Sequence, residues 1–110
     1  MDRPQASPEA ARRYEEVAAG LAAAGVKASS MFGMPTLKLG GKALAGLWGD
    51  AMNFKLAGEG HAEALGLPGA HLFDPSGMGR PMRAWVVVPV THADEWERLA
   101  ALAMAAIDGE

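Results

Sequence analysis

Between Val26 and Leu56 the chain is cut into strand-length pieces by glycine-bearing turns, and this punctuation constrains the fold more than any other feature. Gly40-Gly41 separates Thr36–Leu39 from Lys42–Trp48, and Gly49-Asp50 separates that run from Ala51–Lys55. Two-residue turns of this kind close antiparallel hairpins, because they need a positive φ that glycine adopts without strain. A parallel crossover needs a dozen or more connecting residues, so a doubly wound parallel sheet is disfavoured. Met52, Phe54 and Leu56 alternate with Asn53 and Lys55. That period of two puts one strand face on a core and the other in water.

Helices are expected on either side of this meander. Ser7 is a good N-cap, Pro8 suits the first helical position and Glu9 the positive end of the dipole. Tyr14, Val17, Ala18, Leu21 and Ala22 then recur at helical spacing up to Gly25, which predicts a helix over residues 8–24. Glu59–Leu65 reads as a short helix stopped at Gly66-Leu67-Pro68-Gly69, His71–Phe73 as a short strand and Asp74–Gly79 as a loop. Met82–Val88 is the longest strand, with Trp85 and Val87 on one face and Val86 and Val88 on the other. Thr91 is the expected cap of a last helix whose stripe is Trp96, Leu99, Ala103 and Ile107, and Trp85 and Trp96 are both expected between the sheet and that helix.

The order implies an α+β fold, a two-layer sandwich with N- and C-terminal helices packed on a mainly antiparallel sheet. With 110 residues, half of them apolar, the chain can bury one core, so residues 1–110 read as a single domain with residues 1–7 as a flexible tail.

Several chemistries are disfavoured. Ten Lys/Arg stand against thirteen Asp/Glu, spread along the chain with a net charge of −3, which argues against direct nucleic-acid binding. Cysteine is absent, which removes disulfides, thiolate nucleophiles and Cys-ligated zinc. His61, His71 and His92 give no i,i+4 ligand pair, and no serine sits in a nucleophile motif, so no catalytic residue, metal site or cofactor is expected. The charged first thirty residues do not resemble a signal peptide and no apolar run is long enough to span a membrane, so a cytoplasmic location is expected.

Motifs on two Gly/Pro elbows carry more information. Met31-Phe32-Gly33 opens the meander, Gly41-Lys42 leads into Ala43–Trp48, Asp50 and Lys55 bracket the next strand, and Gly79-Arg80-Pro81-Met82 runs into Trp85 and three valines. In order and spacing these motifs resemble the N-terminal domain of the TfoX/Sxy family of bacterial competence regulators, over about Glu9 to Ile107. The YjbR/MmcQ group is the nearest relative. The resemblance implies the same α+β sandwich and a general regulatory or protein-interaction role without catalysis. The regulators that name the family carry a second, helical domain with no counterpart in these residues, so promoter-level activity is not implied.

The candidate binding residues are therefore Met31, Phe32, Gly33, Lys42, Lys55, Gly79, Arg80, Pro81, Met82 and Arg83. Arg80 and Arg83 could offer guanidinium forks to a carboxylate or phosphate, or simply lie on a turn and a solvated strand edge. Met31, Met34, Met78 and Met82 could line an adaptable groove or fill the core. Lys38, Lys42 and Lys55 read as a basic stripe or as lysines that guard the sheet. The expected partner is a protein, and the open edges of such a sheet suggest a homodimer. The alternative is a small-ligand-binding or enzymatic domain with a pocket between Met31–Pro35 and Gly79–Arg83.

Overall fold

The computed structural model describes residues 6–31, 33–74, 79 and 81–108, without the side chains of Met31 and Asp108. Helix α1 (Pro8–Leu21) begins as its sequence dictates, with Ser7 Oγ accepting the Ala10 N–H at 3.2 Å and Pro8 at the first position. It buries Ala10, Tyr14, Val17 and Leu21, whereas of the expected stripe Ala18 is half-buried and Ala22 exposed; the helix ends at Leu21, short of the expected residue 24, and tightens into a 3-10 turn over Ala22–Ala24 that ends at Gly25 with φ +94°.

Four strands follow as a meander: β1 (Lys27–Met31), β2 (Met34–Leu39), β3 (Lys42–Trp48) and β4 (Ala51–Lys55). Gly40 and Gly41, with φ +58° and +81°, close the hairpin from β2 to β3. β2 starts two residues earlier than its sequence suggests and includes Pro35. Having no N–H to offer, Pro35 sits just outside the first β2–β3 pair, Thr36↔Gly46. After α2 (Gly58–Leu65) come β5 (His71–Phe73), β6 (Met82–Pro89), a 3-10 turn over Val90–Glu95 and α3 (Trp96–Asp108). The strands form one antiparallel sheet in the order β1-β2-β3-β4-β6-β5. The fold is thus the two-layer α+β sandwich that the hairpin punctuation requires.

The cross-strand register sorts the side chains. Leu37, Ala45, Phe54 and Val86 are opposite one another in turn, as are Leu47, Met52 and Val88, and all join α1, α2 and α3 in one core. Leu44 joins it too, because the β2–β3 register skips it between Leu37↔Ala45 and Lys38↔Ala43, so two successive β3 side chains face the helices. Trp96 is fully buried there and its indole N–H donates to the Val88 carbonyl at 3.2 Å.

Two expectations are corrected. Thr91 does not cap the last helix: the chain leaves β6 through a 3-10 turn without a side-chain cap, and α3 begins only at Trp96. Trp85 is buried, but in a second cluster with Met34, Ala51, Phe73 and Val87, on the sheet face away from the helices. Its parity with Val87 decides this, since Val86 and Val88 already face α3.

Truncating Trp96 to Ala should cost roughly 3–5 kcal/mol in urea unfolding, because it empties the centre of the helix-side core. Tyr14 tests the same core by a different route. Its hydroxyl is buried with no hydrogen-bond partner, and burial, with a smaller push from Glu15, drives the phenol up to about 12. The folded state therefore holds the neutral phenol more firmly than the unfolded chain, whose tyrosines ionise near ~10. That contribution is complete below pH ~10 and is lost as the pH rises towards ~12. Tyr14→Phe should match or exceed the parent's stability at pH 7 and should resist the alkaline loss that the parent shows.

Candidate functional site

The sheet face away from the helices is closed by its own side chains. Trp48 on β3 and Phe73 on β5, with β4 and β6 between them, bring their rings to 5.1 Å at an interplanar angle of 77°. Ala51 and Val87, small residues of this cluster on the intervening strands, leave them room, and Trp85 of β6 completes the cluster. Beside them Thr36, Gly46, Asn53 and Val87 occupy one cross-strand row. Asn53 is fully buried; its Nδ2 donates to Met34 Sδ at 3.6 Å, and its Oδ1 has no partner. Thr36 Oγ1 donates to the Met34 carbonyl at 2.9 Å. A Cβ on Gly46 would meet Asn53 Oδ1 at 2.8 Å and Met34 Cε at 2.9 Å, so glycine is what admits these two side chains.

Around this closed centre the charges are sorted by element. Every charged residue in the six strands is basic: Lys27, Lys38, Lys42, Lys55 and Arg83. The helical layer carries Glu9, Glu15, Glu16, Glu59, Glu63, Asp94, Glu95, Glu97 and Asp108 against Arg12, Arg13 and Arg98. The strand cations also gather towards one end of the sheet. Lys27 is directly opposite Lys38, Lys38 is opposite Ala43, Lys42 follows the adjoining glycine turn, Lys55 is opposite Trp85, and Arg83 lies beyond it on β6. Asp74, at the end of β5, is an acid at that end; its Oδ2 accepts the Gly79 N–H at 3.0 Å.

The two elbows named from the sequence lie at opposite ends of the sheet. Gly33, exposed with φ +76°, turns β1 into β2, and Met34 is level with Trp48, Ala51 and Pro89. Pro81, Met82 and Arg83 enter β6 from the other end, where Met82 is paired with Phe73 across a register shift. Met82 is 37% exposed, Pro81 half-buried and Arg83 exposed. The Arg83 carbonyl accepts from His61 Nε2 at 2.7 Å, which ties α2 to the mouth of β6. Lys42 is exposed and Lys55 half-buried. Met31 pairs with Met34 through its backbone, while Phe32, Met78 and Arg80 lie outside the described residues. Of the four methionines proposed for a groove, Met34 is core and Met82 is at the surface. A single pocket between the elbows thus finds no support in the topology.

Other candidates are structural. His92 Nε2 meets the Pro68 carbonyl at 2.8 Å and His71 Nδ1 the Gly69 carbonyl at 3.2 Å, so both rings brace the chain between α2 and β5. Among the described residues no three His, Asp or Glu side chains are placed to hold a metal ion, and no helix is long and apolar enough to cross a membrane. A shallow depression of about 170 Å³ between α1 and the turn before α3 is lined by Arg13, Glu16, Val17, Ala93, Asp94 and Glu97. Arg13 reaches Asp94 Oδ1 at 2.8 Å across it, joining the two segments.

The sorting of charge escaped the sequence reading because the acids and bases are spread along the chain and gather only when sorted by element. Counting them by predicted strand and helix would have exposed it. It also missed Asn53, which follows the polar half of an alternating strand yet lies under a side-chain roof. Compared with known proteins, the chain matches no family model, no curated protein and no solved structure.

Gly46→Ala should lower stability by about 1–3 kcal/mol, since Pro35 O at 3.2 Å adds a backbone contact that cannot rotate away. Thermal melts of the variant and parent measure this.

Proposed function

We propose that the chain is a non-enzymatic regulatory or protein-interaction domain that meets a protein partner with its basic sheet, the role implied by its resemblance to TfoX-type N-terminal domains. The supporting observation is the sorting of charge: cations alone on the strands, and mostly carboxylates on the helical layer. Such a division orients an incoming molecule, because complementary potentials steer encounter and reject wrong faces. The acidic layer disfavours wrapping by a nucleic acid, whose phosphates would meet carboxylates on that side. A cytoplasmic partner is part of this reading.

The test is capture of cellular proteins on the immobilised domain with charge-reversed variants. Lys42→Glu combined with Arg83→Glu should abolish the specific capture, whereas Glu15→Lys combined with Glu97→Lys should leave it intact. All four positions are exposed, so circular dichroism should report unchanged folds. The opposite pattern would remove the sheet from the interface.

A further inference from the structure

β1 forms an edge of the sheet, and its burial pattern sets it apart from its neighbours. Lys27, Ala28, Ser29 and Ser30 are exposed, although their side chains alternate between the two faces. Its five residues nevertheless pair in unbroken register with β2, from Lys27↔Lys38 to Met31↔Met34. A strand with so little side-chain burial is held mainly by its ladder. Its other side presents the same kind of ladder to solvent.

The hairpin fixes which groups that side offers. Pro35 has no N–H, so Ser30↔Pro35 cannot be a doubly bonded pair, and alternation makes Met31↔Met34, Ser29↔Thr36 and Lys27↔Lys38 the bonded ones. The N–H and C=O of Ala28 and Ser30 therefore turn outward. Small side chains at Ala28, Ser29 and Ser30 leave the approach unobstructed.

Two lysines mark one end of this edge. Lys27 and Lys38 are directly opposite, about 5 Å apart at Cβ, an arrangement of like charges that is unfavourable by itself. We propose that an extended acidic segment of a partner protein adds to β1 as a seventh strand, hydrogen-bonding Ala28 and Ser30 and placing a carboxylate against Lys27 and Lys38. This rests on the protein-interaction role proposed above and names the chemistry of the partner.

A second copy of this chain fits less well. Its strands contain no acidic residue, so antiparallel pairing of two β1 strands would leave both lysine pairs uncompensated. A single-stranded nucleic acid would supply charge but needs aromatic faces for its bases. On this side of the sheet Trp85 and Phe73 are buried and Trp48 is half-buried under its contact with Phe73. β-strand addition draws affinity from the main chain and specificity from alternate side chains, which is what β1 presents.

The experiment is an NMR titration of the isotope-labelled chain with a short synthetic peptide of alternating Glu and Val, run beside its Gln-for-Glu counterpart, an oligothymidine and dilution of the protein alone. The acidic peptide should shift the β1 and β2 amides and slow hydrogen exchange at Ala28 and Ser30. The Gln peptide, and the variant Lys27→Glu with Lys38→Glu, should each bind about tenfold more weakly. If that variant misfolds, Lys27→Gln and the peptide pair still decide the charge requirement. Equal binding of the Gln peptide, shifts confined to other strands, β1 perturbation by oligothymidine instead, or concentration-dependent protection of β1 in the protein alone would each overturn the proposal. Retained cellular capture by a chain that ignores the peptide would refute the seventh strand and leave the sheet interface standing. Loss of capture on helix reversal, but not on sheet reversal, would refute the interface itself.

Discussion

Helices cover only one face of this six-stranded sheet, so the other face must exclude water with its own side chains. On the helix side the solution is ordinary: large apolar residues from β2, β3, β4 and β6 meet α1 and α3, and Trp96 fills the centre. On the far side aromatic residues lean inwards over small ones. Trp48 and Phe73 close over Ala51 and Val87, while Met34 and Asn53 fill the space that Gly46 leaves empty. Each of those sizes depends on the others. The same economy explains why Asn53 tolerates an unpartnered oxygen: its amide packs against a polarisable thioether in a place too tight for a bulkier residue above glycine.

A self-closed face changes what the sheet can do. Its aromatic residues are engaged with one another and are withdrawn from contact with a partner's rings or bases. What remains accessible on the sheet is charge, main chain and small side chains, with Met82 at the mouth of β6. Of the strand cations, Lys27, Lys42 and Arg83 are exposed and Lys38 and Lys55 half-buried. The helical layer carries the compensating carboxylates, several of them paired with Arg12, Arg13 and Arg98 on that same layer. The net charge of −3 thus hides two opposed surfaces.

The hairpins were legible because glycine turns are local: Gly40 and Gly41 have the positive φ that their sequence demands. So was α1, whose cap and stripe lie within a few residues of each other. What could not be read was long-range. The order β4-β6-β5 depends on β6 inserting beside β4, and no spacing records that choice. Trp85 has a period that assigns it to a face, but not to the face that carries helices. Thr91 resembles a helix cap because the next carboxylates fall where a capping box needs them, yet the chain leaving β6 at Pro89 must first turn back over the sheet. Among the candidate site residues, the sequence located the basic strand positions and did not show that the two elbows belong to opposite ends.

The two edges of the sheet manage exposure differently, and the contrast bears on which one can receive another strand. β5 is three residues long, and its register with β6 jumps from Leu72↔Val86 to Phe73↔Met82, so its outer side offers no regular ladder. Shortness and irregularity are standard protections against strand addition. β1 is longer, regular and free of proline, and its guard is electrostatic, with Lys27 set beside Lys38. A guard of that kind is selective. It repels a neutral or basic strand, including a second β1, by leaving buried or crowded ammonium groups without counter-charge, and it yields to a strand that brings a carboxylate. The edge is therefore closed to most strands and open to one chemistry.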